Sequence, residues 1–89
     1  MVWVTKAEHV EGFKLLVTFN DGVAGIVDLR GLIFNDTRDV LRQLRNEECF
    51  RRFKVALDTV VWENGLDLAP EYLRSLAVTD VKPSKTAAV

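Results

Sequence analysis

The sequence predicts an α+β fold: a small antiparallel meander sheet of about five to six strands, with two or three short helices packed on it. Segments near both ends of the chain alternate apolar and polar residues, which is typical of half-buried strands. Asp21-Gly22 is the strongest short hairpin signal, and helical periodicity appears only in the middle and after Pro70. At 89 residues the chain fits one domain, which we assign to 1–78, with 79–89 as a disordered C-terminal tail.

The first third of the chain is predicted to form three strands. Residues 2–10 are rich in Val, Trp and Thr and form the first. The second, "FKLLVTFN", places four apolar side chains on one face: Phe13, Leu15, Val17 and Phe19. Leu16 breaks this alternation, which indicates that the other face is partly covered too. "VAGIVDL" is the third strand, and Asp28 at its end is placed to cap a short helical turn.

The middle of the chain is predicted to form two short helices. Asp36 or Thr37 can cap the first, whose apolar stripe consists of Val40, Leu41 and Leu44. Asn46 can cap the second helix. Its inward-facing residues are predicted to be Cys49 and Phe50, with Phe53 as a further candidate.

The segment "FKVALDTVVWEN" is predicted to form a hairpin with its turn at Asp58-Thr59. In that register Val55 faces Trp62 and Leu57 faces Val60, so that these four side chains share a core-facing surface with Phe53. Lys54 then lies opposite Glu63 on the outer face. Asn64-Gly65 supplies the next turn, and Asp67 is expected to tether the last helix by hydrogen bonding. That helix begins at Pro70, has Glu71 in its first turn and packs Tyr72, Leu73 and Leu76 against the core.

Composition and charge exclude several functional classes. The net charge of −1 gives no global attraction to nucleic acid or anionic membranes. Cys49 is the single cysteine, so we expect no internal disulfide and no zinc cluster. No leader pattern and no apolar run of about 18 residues is found. We therefore expect a cytoplasmic protein with no cofactor, no bound metal and no membrane partner.

The carboxylates of "WENGLDLAPE" are the first candidates for catalysis. Glu63, Asp67 and Glu71 could act as paired carboxylates or hard-metal ligands, yet no His, Cys or nucleophile accompanies them. His9, the single histidine, lies at a strand end and lacks an evident substrate or nucleophile. A structural interpretation accounts for each residue separately, so we predict that the protein is not an enzyme.

The arginines of the central helix are a candidate binding surface. Arg38, Arg42 and Arg45 fall within an arc of about 60° on a helix, and Arg51, Arg52 and Lys54 follow in sequence. Such a stripe can clamp phosphates or an acidic partner. The alternative is a solvated face, partly neutralised by nearby carboxylates: Asp36, Asp39, Glu47 and Glu48.

The order of these segments resembles a family of small bacterial proteins, domain-of-unknown-function family 2442, over about residues 2–76. The matching positions are Phe19, Asp21, Gly22, Val27, Asp28, Leu29, Phe50, Trp62, Gly65, Asp67, Leu68, Ala69, Pro70 and Glu71. The resemblance implies an α+β meander and no established enzymatic activity. Some relatives carry a helix-turn-helix after this domain, and others resemble the antitoxin-side member of a two-protein pair. Family members commonly have Pro after the Trp, where this chain has Glu63, and the polar tail makes operator binding by a helix-turn-helix unexpected here.

The leading hypothesis is a non-catalytic protein-interaction module. Homo-oligomerisation is compatible with this hypothesis, because a second copy would add apolar contact to a small core. The module would bind a partner protein, of unidentified nature, through Arg38, Arg42, Arg45, Arg51 and Arg52, and could neutralise it as an antitoxin does. The alternative is a nucleic-acid-binding or regulatory protein that uses the same arginine stripe. An enzyme using Asp67, Glu71 or His9 is the third hypothesis.

Overall fold

The computed structural model describes residues 1–78, so the predicted disordered tail, 79–89, lies outside the described residues. In chain order the elements are β1 (Val4–Glu11), β2 (Lys14–Phe19), β3 (Ala24–Asp28), α1 (Arg30–Asn35), α2 (Asp39–Arg42), a 3₁₀ turn (Gln43–Arg45), α3 (Glu47–Phe50), β4 (Phe53–Ala56), β5 (Thr59–Trp62), β6 (Asp67–Leu68) and α4 (Pro70–Leu76). No helix in this part of the chain is long and apolar enough to cross a membrane.

The fold is α+β, as predicted, but the six strands form two sheets and not one. Each sheet is a three-stranded antiparallel meander, with the orders β1-β2-β3 and β4-β5-β6. The outer edge of β3 is occupied by Val78, whose backbone exchanges two hydrogen bonds with Ile26 (3.0 and 2.9 Å). On the opposite side of the sheet, the backbone N–H of Val4 donates to the backbone carbonyl of Asp58 (2.9 Å), linking β1 to the β4–β5 turn.

The alternation predicted for β2 is confirmed. Leu15, Val17 and Phe19 are almost completely buried and form one wall of the core. In the turn between β2 and β3, the backbone N–H of Phe19 donates to the carbonyl of Val23 (2.8 Å). Gly22 has φ +86°, a conformation that glycine adopts without steric cost, so the Asp-Gly hairpin signal is confirmed.

Of the predicted caps, Asn46 is the N-cap of α3, whereas Leu29 and Arg38 occupy the N-cap positions of α1 and α2 without side-chain cap hydrogen bonds. Asp28 Oδ1 accepts from the N–H of Arg30 (3.0 Å) at the start of α1, and Asn46 Oδ1 accepts from the first N–H groups of α3. Asp36 Oδ1 accepts from the N–H of Arg38 (2.8 Å), although Arg38 occupies the N-cap position of α2. The apolar stripe of the middle segment packs as expected, with Leu41 and Leu44 buried.

The predicted register of the β4–β5 hairpin is wrong by one position in the turn. The turn residues are Leu57 and Asp58, both with positive φ (+54° and +66°), and the pairs include Phe53 with Trp62 and Lys54 with Val61. The Lys54–Glu63 pair therefore does not form. A two-residue turn centred on Asp58-Thr59 would force positive φ on Thr59, which its branched Cβ disfavours.

Four further side chains depart from the predicted core. Val55 on β4, expected to face inward, is 37% exposed. Leu57 belongs to the turn and is 83% exposed. Cys49, expected to face inward, is exposed, because Phe50 alone fills the core position of this one-turn helix. Tyr72 is 39% exposed, while its neighbour Leu73 is fully buried. Consecutive helical positions differ by about 100°, so a short helix buries only one narrow stripe.

Candidate protein-interaction surface

Arg38, the first arginine of the predicted stripe, is held by Asp36. Its Nε and Nη2 donate to the two carboxylate oxygens, each at 3.0 Å. These hydrogen bonds hold the pKa of Asp36 below its ordinary value and raise the pKa of Arg38. The guanidinium is solvent-accessible, but an acidic partner would have to compete with a carboxylate that already binds it.

Arg45 has a structural role. Its guanidinium donates to the backbone carbonyls of Ile33 (3.1 Å), Phe34 (3.3 Å) and Asp36 (3.3 Å). These carbonyls lie at the C-terminal end of α1, where helical partners are missing. The same guanidinium lies 5.4 Å from the centroid of the Phe34 ring, close enough for a cation–π contact. Arg45 therefore ties the end of α1 to the 3₁₀ turn.

Arg42 lies apart from Arg38. Its Nη1 is 3.8 Å from Asp39, a loose exposed ion pair. Arg42 and Arg45 border an open depression of about 430 Å³, whereas Arg38 borders a different one, of about 370 Å³, beside Tyr72. The segment changes from α-helix to 3₁₀ turn after Arg42, which alters the spacing on which the predicted arc depends. Arg38 thus has an environment of its own, whereas Arg42 and Arg45 border one depression.

Arg51 and Arg52 have the surroundings expected of a binding surface. They lie between α3 and β4, and both are exposed, as is Lys54. None of the three forms an ion pair within residues 1–78. Arg52 and Lys54 border an open depression of about 500 Å³, which Phe53, Val61, Trp62 and Glu63 complete. We call Arg51, Arg52 and Lys54 the cationic surface.

The register of the second sheet positions part of this surface. Lys54 lies directly opposite Val61, and Val61 lies opposite Asp67, so these side chains share the outer face of the sheet. The inner face carries Val60 and Trp62, both buried. Because the inner face holds the core, the charged groups on the outer face are available to a partner.

The family-motif residues contribute mainly to the fold. Trp62 is 2% exposed, and its Nε1–H donates to the carbonyl of Phe50 (2.7 Å). Phe19 is in the core, Pro70 begins α4, and Gly65 has φ +93° in the β5–β6 turn. Their positions agree with the structural interpretation of each.

Two acidic motif residues differ in what they do. Asp21 binds Arg74 of α4, a contact between residues 53 apart in sequence for which no local pattern gave a signal. Asp67 is exposed on β6 and makes no side-chain hydrogen bond with residues 1–78, and α4 has Ala69 as an N-cap without a side-chain bond. The predicted tether from Asp67 is therefore wrong.

Two of the candidate catalytic groups, His9 and Asp67, lie on different sheets. His9 Nε2 lies 2.9 Å from the carbonyl oxygen of Gly12, and its ring meets Phe50 edge-on with centroids 6.1 Å apart. Asp67, in contrast, is on the outer face of the second sheet. Within residues 1–78 no group of three or more His, Cys, Asp or Glu side chains could hold a metal ion.

Within residues 1–78, two small meander sheets, four one- to two-turn helices and a charged outer face define an α+β domain. The family model described as "Protein of unknown function (DUF2442)" matches residues 4–79. The chain belongs to this family, as the order of its motifs indicated. No curated protein matches the chain, and no solved structure matches it either.

Proposed function

We propose that this chain is a non-catalytic protein-interaction module that binds an acidic segment of a partner protein at the cationic surface. The observation that carries the proposal is the contrast between its arginines. Arg38 and Arg45 are bound to groups of the same chain, whereas Arg51, Arg52 and Lys54 have no acidic partner within residues 1–78. Arg52 and Lys54 border an open depression, and Arg51 is the exposed residue that precedes them.

Charge and shape both suit an acidic segment. A guanidinium binds a carboxylate through two parallel hydrogen bonds. Because a guanidinium is weakly hydrated, displacing water from it costs a partner little free energy. No internal ion pair has to break first, so binding costs less than it would at Arg38. The half-buried Val61 and Phe53 give the depression apolar surface, which adds contact area to the charge attraction.

A more specific role is that of the antitoxin-like member of a two-protein pair in the bacterial cytoplasm. In this role the module covers and neutralises its partner by binding alone. The proposal that it performs no chemistry is supported by the placement of His9 against Phe50 and of Asp67 on a different sheet and on its outer face.

The test is affinity capture from source-organism lysate with three baits, followed by mass spectrometry. The baits are the wild type, the triple variant Arg51→Glu/Arg52→Glu/Lys54→Glu, and Glu63→Gln as a matched variant of the same depression. We expect the wild type to capture one stoichiometric protein and the triple variant to capture at least tenfold less of it. Glu63→Gln should capture at least as much as the wild type, because it removes the one negative charge among the residues bordering the depression.

Controls separate this proposal from its alternatives. Lys6→Glu, an exposed reversal on the first sheet, should leave capture unchanged, and circular dichroism should show that all variants fold. Equal capture by the wild type and the triple variant would contradict the proposal. Capture that disappears after nuclease treatment would favour nucleic-acid binding, for which affinity should also fall steeply with salt.

A further inference from the structure

We infer that the outer face of the first sheet is the contact surface of a weak, symmetric homodimer. This surface is distinct from the cationic surface and does not depend on the proposed function. Its centre is an apolar row that begins beside Glu8 of β1: Leu16 on β2, Ile26 on β3 and Val78 at the edge. Leu16 lies opposite Ile26, and Ile26 lies opposite Val78, so the three side chains project from the same face.

This row is separate from the core. The inner-face side chains of β2, such as Leu15 and Val17, are fully buried among the core residues. Leu16 and Ile26 are half-buried, but within residues 1–78 neither belongs to the core cluster nor packs against it. Val78 is 55% exposed. Outer sheet faces are normally polar, so an apolar row across three adjacent positions indicates an unfilled contact.

The flanking residues make this face complementary to itself. On one side of the apolar row, Lys14 of β2 lies opposite Asp28 of β3. On its other side, Thr18 of β2 lies opposite Ala24 of β3. A two-fold axis that runs parallel to the strands between β2 and β3 places β2 of one copy over β3 of the other. Every contact then occurs twice, as two-fold symmetry requires.

That arrangement pairs the central strands with their complements, and it also places Glu8 of β1, which lies beside Leu16, over Val78 of the second copy. Leu16 of one copy meets Ile26 of the second copy, Thr18 meets Ala24, and Lys14 meets Asp28. The apolar pairs lie in the middle and the opposite charges lie at one end. Aligned packing of two sheets about 10 Å apart, with strands crossing at about 30°, is a standard geometry for such faces.

The size of the face sets the expected affinity. Four strand positions at about 4.8 Å and three rows at about 6.8 Å cover roughly 300–400 Å² per copy. Stable interfaces bury about 800 Å² per partner. We therefore expect a dimer that dissociates in the range of tens to hundreds of micromolar, visible only in concentrated solution.

The experiment is sedimentation equilibrium of the full chain from about 10 µM to 1 mM. The wild type should shift from monomer towards dimer across this range. Leu16→Glu and Ile26→Lys should each remain monomeric, because each puts two charges against apolar side chains. An equimolar mixture of these two variants should recover at least part of the dimer, because one Glu–Lys pair and one Leu–Ile pair then meet.

Further variants keep the inference testable if a central substitution disturbs folding. Lys14→Glu, which is on the exposed rim of the face, should weaken dimerisation about 3- to 10-fold by facing Asp28 with a like charge. Leu57→Glu, which removes exposed apolar surface at the β4–β5 turn, away from this face, should dimerise like the wild type. A wild type that stays monomeric at 1 mM overturns the inference, as does dimerisation that Leu57→Glu abolishes and Lys14→Glu leaves intact.

Discussion

Arg74 of α4 holds Asp21 of the β2–β3 turn through two parallel hydrogen bonds, Nη1 to Oδ1 at 3.2 Å and Nη2 to Oδ2 at 3.0 Å. The same guanidinium lies 5.1 Å from the centroid of the buried Phe19 ring. Four residues further along, Val78 pairs with Ile26. These contacts fasten the C-terminal helix to the first sheet, and they place one family-motif carboxylate in a long-range structural role.

The ion pair predicts how stability depends on pH. Hydrogen bonds from Arg74, and then from the N–H of Val23, hold the pKa of Asp21 below its ordinary value. A carboxyl whose pKa is lower in the folded state stabilises the fold above its unfolded pKa, about 3.9, and this contribution is lost as pH falls through the folded pKa. Asp36 acts in the same direction.

Asp21→Asn should therefore flatten the loss of stability on acidification below about pH 4. Urea unfolding of the wild type and Asp21→Asn between pH 2.5 and 7 measures this difference. Arg74→Gln removes the other half of the pair and should flatten the same region. If the unfolding free energy of all three proteins changed with pH in parallel, the contact would not contribute to folding stability.

Arg45→Ala should destabilise the protein by about 1–3 kcal/mol, because three carbonyls at the end of α1 lose a charged donor. Arg42→Ala is the matched control, since its exposed pair with Asp39 (3.8 Å) is worth at most about 0.5 kcal/mol. Denaturant unfolding of both variants gives the comparison. Equal effects would mean that Arg45 has no special structural role.

Trp62→Phe should cost about 2–4 kcal/mol, because the smaller ring leaves space in the core and the carbonyl of Phe50 loses the indole donor. Trp3→Phe, a change at a half-exposed position, should cost less than about 1 kcal/mol. Tryptophan fluorescence of the two variants provides a second readout: the spectrum that retains Trp62 should lie at shorter wavelength. The reverse order of stabilities would refute this assignment of the core tryptophan.

Leu57→Asn/Asp58→Gly should stabilise the protein by about 1 kcal/mol. Both positions have positive φ, which Asn and Gly adopt more readily than Leu and Asp in a two-residue hairpin turn. For a domain of this size the melting temperature should rise by about 4–8 °C. Leu57→Ala keeps the unfavourable backbone conformation and should change it little. A lower melting temperature for the double variant would mean that the Leu57 side chain stabilises the fold.

Sequence patterns alone were enough for the features that depend on nearby residues. The alternation in "FKLLVTFN" predicted the buried face of β2 because strand side chains alternate regardless of what they meet. Asn46 was identified as a helix cap, and Asp28 as an acceptor at the start of α1, because each needs only N–H groups two or three residues ahead. The order of the motifs predicted the family. The turns at Gly22 and Gly65 were predictable because a positive φ is a local requirement that glycine meets.

Only the tertiary structure decided how these elements meet. The six strands divide into two sheets, which no local pattern indicated, and the roles of Arg45 and Arg74 follow from carbonyls and a carboxylate brought close by the fold. The sequence placed three arginines on one helical face, but backbone groups and Asp36 bind two of them. Local spacing fixes which side of an element a residue lies on, whereas its partner depends on packing between segments far apart in the chain.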